Sequence, residues 1–211
     1  MKRVILGMSI LVTAVAVYFF SVPENSALAQ SNTVLRAHFN SDGEVLLPQG
    51  YRQWVHVGTR INALGKLSIL DGKPTTTPEV LDAYVEPHAF AAFQRTGKWP
   101  DGSQMVKEFA AVRIGDGCQP QTYLCTTEFG EGIFETGYIG LGMMVKDEKR
   151  FPTAPGHWAF FSFGHKPPPY DPVSPVRPAS QCQSCHVRLA SDTDFVISRA
   201  HIGLARATQT P

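Results

Sequence analysis

The alternation of apolar and polar positions predicts a chain built mainly of short strands. Gln104 to Arg113 alternates in period two, with Met105, Lys107, Phe109 and Ala111 on one face and Val106, Glu108, Ala110 and Val112 on the other. Tyr51 to Gly58 alternates likewise, setting Tyr51, Gln53, Val55 and Val57 against Trp54 and His56. On such a strand His56 reads as a structural histidine. Val80 to Val85 reads as a short strand, Ile133 to Val145 as a buried one, and Trp158 to Phe163 as a strongly apolar one. The aromatics of that last strand suit either a cofactor wall or ordinary sheet core. One helix is signalled. Pro87 fits a first turn, where a missing N–H costs little; Phe90 and Phe93 share a face; Gly97 supplies a left-handed stop. His88, in the first turn, has no evident partner.

The segments between are read as connections. Residues 30–44 form a lead-in ending near the Asp42-Gly43 turn, residues 62–78 a Gly-, Pro- and Thr-bearing loop, and Trp99-Pro100-Asp101-Gly102 a tight turn. Gly115 to Gly132 reads as an irregular loop, Lys146 to Arg150 as a solvated charged turn, and Pro167 to Pro178 as a proline-rich connector. An amphipathic segment runs from about Thr193 to Ala207. Sixteen prolines and eighteen glycines in 211 residues disfavour a helical bundle. The fold class expected is mainly β (α+β): an antiparallel sheet with a few short helices.

Composition changes this picture little, because a net charge of +1 points to no nucleic-acid partner. The N-terminus changes it more. Lys2 and Arg3 precede an apolar run from Val4 to Phe20, and Ala27-Leu28-Ala29 fits a cleavage site. Residues 1–29 are therefore read as a signal peptide and residues 30–211 as one domain. The apolar run only just reaches the length of a membrane span, which leaves an uncleaved anchor as the alternative. Either way the domain is exported, and a bacterial periplasm is the expected location. In that compartment Cys118 and Cys125 have a spacing that permits a disulfide; two free thiols are the other reading.

The chemistry is carried by Cys182-Gln183-Ser184-Cys185-His186. This CxxCH run is the attachment signal of c-type haem, with two thiols for the vinyl groups and an adjacent imidazole as axial ligand. A redox CxxC would need a βαβ context and a zinc site two further ligands at suitable spacing, and the chain offers neither. Few residues follow His186, and none is Met. Met105, Met143, Met144, His157 and His165 are the available sixth ligands, none singled out by its surroundings. The expectation is an open site that binds a small molecule such as NO, hydroxylamine or CO. Lys107 is the other unusual residue. Burial among its apolar face-mates would favour the neutral, nucleophilic amine, whereas an edge strand would leave it solvated.

Several separated blocks then resemble one family in order. They are Leu47-Pro48, Tyr51-Arg52, Trp54-Val55 and Gly58-Thr59; Tyr84-Val85 and Pro87; Thr96-Gly97 and Asp101-Gly102; Val106-Lys107-Glu108; Tyr138-Ile139-Gly140-Leu141; Val145-Lys146-Asp147 and Lys149-Arg150-Phe151; Pro155-Gly156; Trp158-Ala159-Phe160-Phe161; and the CxxCH. The chain resembles the cytochrome P-460 family, which includes the cytochromes c′-beta. The resemblance implies a mostly β homodimer holding one covalently attached, five-coordinate haem c, with Cys182, Cys185 and His186 binding it and His186 ligating the iron. It implies that Lys107 is bonded to the macrocycle and takes part in catalysis. The implied reaction is oxidation of hydroxylamine, with electrons passed to an external acceptor such as a cytochrome c. Two positions depart from the pattern: Gly142 stands where hydroxylamine-oxidising members carry a carboxylate, and Leu81 falls near their distal arginine. Without that carboxylate the expected outcomes are slow catalysis, use of another proton acceptor such as Asp82 or water, or no catalysis. Glu108 is a poor one, because it points to the strand face opposite Lys107. A less polar pocket suits non-enzymatic NO binding of the c′-beta type.

Overall fold

A computed structural model describes residues 34–205. The signal segment 1–29 and the end of the amphipathic stretch at Ala207 lie outside the described residues. In chain order the elements are β1 (Val45–Leu46), β2 (Val55–Asn62), β3 (Glu79–Val85), α1 (Pro87–Thr96), β4 (Gln104–Val112), β5 (Cys125–Thr127), β6 (Gly130–Gly132), β7 (Glu135–Lys146), β8 (Trp158–Ser162), β9 (Val173–Ser174) and α2 (Gln183–Ala190). The fold is mainly β, as expected. Its centre is a five-stranded antiparallel sheet ordered β2-β3-β4-β7-β8.

Both faces of this sheet are covered, which is why its strands carry apolar residues on both sides of the pleat. One face buries Val106, Leu141, Met143, Val145, Ala159 and Phe161 against Val45, Tyr51, Phe163 and Tyr170. The other buries Val85, Met105, Met144, Trp158 and Phe160 against Ala89 and Phe93 of α1, Trp99, Val196 and Leu204. The predicted helix is present. Glu86 caps it by accepting from the Ala89 N–H at 2.7 Å, and Gly97 ends it at φ 72° with its N–H on Phe93 O. Phe93 stacks on Trp99 with ring centroids 4.0 Å apart. His88 does have a partner, the Glu86 carboxylate at 2.7 Å.

Other expectations are corrected. Tyr51–Gln53 form a 3-10 turn, not the start of a strand, and pairing begins at Val55. The turn follows Gly50 in the left-handed region, φ 67°. The loop 115–132 contains the β5–β6 hairpin, beside a disulfide between Cys118 and Cys125. The proline-rich connector contributes β9, which pairs with β1. Lys146 is no solvated turn residue: it ends β7, is 8% exposed, and places Nζ 2.5 Å from Asp194 Oδ2. Beyond α2 the described chain closes with three 3-10 turns, at Ser191–Thr193, Ser198–Ala200 and Ile202–Leu204.

Glu108 fixes the register of the middle strand. Its buried carboxylate accepts from Tyr51 Oη at 2.6 Å, Tyr170 Oη at 2.9 Å, and Arg52 Nε and Nη2 at 2.9 and 2.6 Å. Burial, then the bond to Glu108, raises the Tyr51 and Tyr170 hydroxyls well above their ordinary pKa, so both stay protonated donors. Because successive residues point to opposite faces, anchoring Glu108 on one side commits Lys107 to the other.

Candidate cofactor site

The sheet face that carries Lys107 bounds a cavity of about 530 Å³. Its lining includes Lys107, Cys182, Cys185 and His186, so chain positions far apart in sequence meet at one place. The register orders this face in rows. Val85, Met105, Met144 and Phe160 lie across from one another; next come Ala83, Lys107, Gly142 and Ser162; then Leu81, Phe109 and Gly140. Rows two residues apart are separated by about 7 Å along the strands. The Lys107 row therefore stands between two walls. Against the first row packs His186, its ring 4.6 Å from that of Phe160. Over the third row lies Leu70, from the loop between β2 and β3, clustered with Leu81 and Phe109.

The first wall is built by α2. Cys182 caps it and Cys185 and His186 follow within its first turn, so all three side chains emerge close together. The two thiols are free, and burial raises that of Cys182. His186 Nδ1 donates to Phe195 O at 2.7 Å, which leaves the lone pair on Nε2. Burial, first among the causes, lowers the His186 pKa and keeps the imidazole neutral, the form that ligates a metal. The carbonyl that orients the ring sits in a turn with two non-glycine residues at positive φ, Asp194 at 52° and Phe195 at 60°. Such a turn persists only when its surroundings hold it. Here Lys146 grips the Asp194 carboxylate and Trp158 Nε1 donates to Asp194 O at 2.9 Å. The sequence marked the charge run and the aromatic strand without their joint role, since Asp194 gives no local signal of the contact.

Lys107 sits opposite Ala83 and Gly142 and lines the cavity. Desolvation is the main cause that brings its pKa from 10.5 down to about 8; the Arg60 charge lowers it further and Cys185 acts the other way. At neutral pH an appreciable fraction is thus free amine. β4 is a central strand and not an edge, and Lys107 is half-buried on it, facing the cavity.

The second wall holds the departures. Gly142 leaves the carboxylate position empty of side chain: a Cβ there would stand 3.6 Å from Phe161 O and 3.8 Å from Leu70 Cδ2, ordinary contacts. At Gly140 there is no such room, because a Cβ would overlap Leu70 Cδ1 and lie 3.1 Å from Gly164 O. Leu81 is buried with Leu70 and Phe109. Its cross-strand partner on β2, however, is Arg60, which lines the cavity. A guanidinium is thus present one strand away from the expected place, a residue that sequence reasoning missed because pairing partners are not visible in one strand's pattern. Asp82 is not the substitute carboxylate. It lies at the surface, bound by Thr59 Oγ1 at 2.5 Å and facing His56 Nε2 at 3.3 Å, and it is absent from the lining. The lining carboxylate residue is Asp71.

Of the five proposed sixth ligands, Met105, Met143 and Met144 are buried in core clusters. His157 Nδ1 bonds Phe151 O at 3.2 Å, and His165 is held between Asp71 at 3.0 Å and Glu79 at 3.3 Å. A smaller adjoining cavity of about 90 Å³ brings His201, also missed in the sequence, beside Lys107. Burial and the Lys107 charge pull His201 down to about 4.

Two thiols and one imidazole lone pair on a single helical turn, facing a cavity of this size, are the donor set and space that a c-type haem needs. No curated protein matches the chain. The cytochrome P460 family matches residues 48–198, which span every strand of the central sheet and the CxxCH helix, and membership implies a haem cofactor. The chain belongs to the cytochrome P460 family.

Proposed function

We propose that the cavity holds one haem c bound through Cys182, Cys185 and His186 and tethered additionally by Lys107, and that the protein oxidises hydroxylamine, releasing electrons to an external acceptor such as a cytochrome c. The observation that carries this reading is the shared cavity: a half-buried lysine, its pKa brought down to about 8, opens into the same space as the CxxCH side chains. When bound, the haem supplies the redox centre and the electrophilic position for the substrate nitrogen. The chain's own residues do the rest. Cys182 and Cys185 fix the cofactor's place. His186 presents Nε2 with its orientation set by Phe195 O. Lys107 would present its amine to the macrocycle as a third point of attachment, which would alter the haem's reactivity. Asp71 is the carboxylate of the lining that could accept a substrate proton, while Arg60 and Arg177 line the cavity as fixed positive charges.

A second reading is non-enzymatic NO binding. The apolar wall of Leu70, Leu81 and Phe109 favours it, since such a wall offers a neutral diatomic no competing polar partner. We also infer export to a periplasm, from Lys2, Arg3 and the apolar run that follows, and a homodimer by resemblance to the family. Steady-state reduction of an artificial acceptor by hydroxylamine separates the two readings: turnover supports the oxidase, and NO binding without turnover supports the binder. If the missing carboxylate limits the rate, Gly142→Glu raises turnover; a Cβ at this position meets only ordinary contacts. An unchanged rate would remove position 142 from the account.

A further inference from the structure

The loop between β2 and β3 is more ordered than its composition suggests. Leu67 bridges Pro74, Ser68 N donates to Lys73 O at 2.8 Å, and Thr75 N donates to Lys66 O at 2.8 Å, so residues 66–75 form a narrow arm. At its tip Leu67 and Ile69 are exposed, while Leu70 is 5% exposed and turned inward. Its methyls occupy the notch made by Gly140 and Gly142, where a Cβ at 140 would displace Leu70 Cδ1 and press on Gly164 O. The next residue ties the arm down: Asp71 meets His165, and His165 meets the buried Glu79. Leu70 thus belongs to the cavity wall two rows from the one that His186 packs against, with the Lys107 row between.

From this placement we infer that Leu70 is the specificity-determining residue for what enters the position facing His186. The inference rests on the open-site reading given above and names the residue that limits the site. A branched apolar side chain offers no hydrogen bond and fills space that a ligand's outer atoms would need. It admits small uncharged ligands and penalises larger ones. The glycines at 140 and 142 are what let an arm residue, rather than a strand side chain, set that limit.

Ligand association to the ferrous haem-loaded protein tests this without reference to turnover. The probes are CO and the bulkier n-butyl isocyanide. In Leu70→Ala the isocyanide rate rises at least about tenfold more than the CO rate, with haem content and the ligand-free ferrous spectrum unchanged. Gly140→Ala, which keeps Leu70 but denies it the notch, shifts the ratio of the two rates as well. If Leu70→Ala does not load haem, Leu70→Val gives a smaller shift in the same direction. Equal changes in both rates, or none, in a variant that binds CO would overturn the role of Leu70 and leave the open site standing. Failure of the parent and every variant to bind CO would overturn the open site and this inference together.

Discussion

Lys107 is the residue whose chemistry depends most on its surroundings. In water a lysine is a poor nucleophile at neutral pH; here burial on the cavity face, aided by Arg60, brings the amine to about 8. The sign follows from desolvation, which penalises the charged form of a base and lowers its pKa. The folded chain therefore holds the Lys107 proton less tightly than the unfolded chain between about pH 8 and 10.5, and over that window its contribution to stability improves as pH rises. In cofactor-free protein, the Cε resonance of Lys107 should titrate with a midpoint near 8, assigned by its loss in Lys107→Met; a midpoint near 10.5 would mean the amine is solvated. The residue's setting was half legible in the sequence. Alternation placed Lys107 among Met105, Phe109 and Ala111, but whether that face was an edge or a covered interior depended on β7, whose pairing no local pattern reveals.

At the scale of elements, β4 does two jobs through neighbouring residues. Glu108 locks the strand to the Tyr51 turn, to Arg52 and to Tyr170 on one face, so that Lys107 faces the cavity on the other. Glu108→Ala strands two Tyr hydroxyls in or near the core; each such loss costs about 1–3 kcal/mol. Chemical denaturation should register a loss of that order, while a change confined to the baseline error would show that the carboxylate does not secure the strand. The same cluster explains why the strand predicted from Tyr51 was wrong. The side chains of Tyr51 and Arg52 are drawn to Glu108, and the backbone turns in 3-10 geometry to deliver them before pairing starts at Val55. By contrast α1 was legible at both ends, because Pro87 and Gly97 act through their own backbone preferences and need no distant partner. The arm 66–75 shows the opposite case. It reads as loop, and its key contact, Leu70 with Gly140, is set by residues far away in the chain.

For the whole molecule, the sheet is a platform and the site is assembled on one of its faces. β4 and β7 contribute Lys107 and the two glycines, the arm contributes Leu70 and Asp71, and the chain's last described segments contribute the CxxCH helix and the turn that supports His186. The CxxCH run was legible in sequence because its thiols and imidazole are adjacent. The opposing wall was not, because its residues come from β2, the arm, β3, β4 and β7 and meet only in the folded chain. Arg60, the cross-strand partner of Leu81, lines the same cavity, a placement that comparing one strand's positions does not reveal. We propose one haem held by Cys182, Cys185 and His186 and bonded also to Lys107, and the ferrous absorption spectrum reports on that last bond. A third covalent tether to the macrocycle should shift the Soret band far to the red of an ordinary c-type cytochrome, and Lys107→Arg should return it to the ordinary position with haem still attached. An ordinary c-type spectrum in the parent protein would contradict the account.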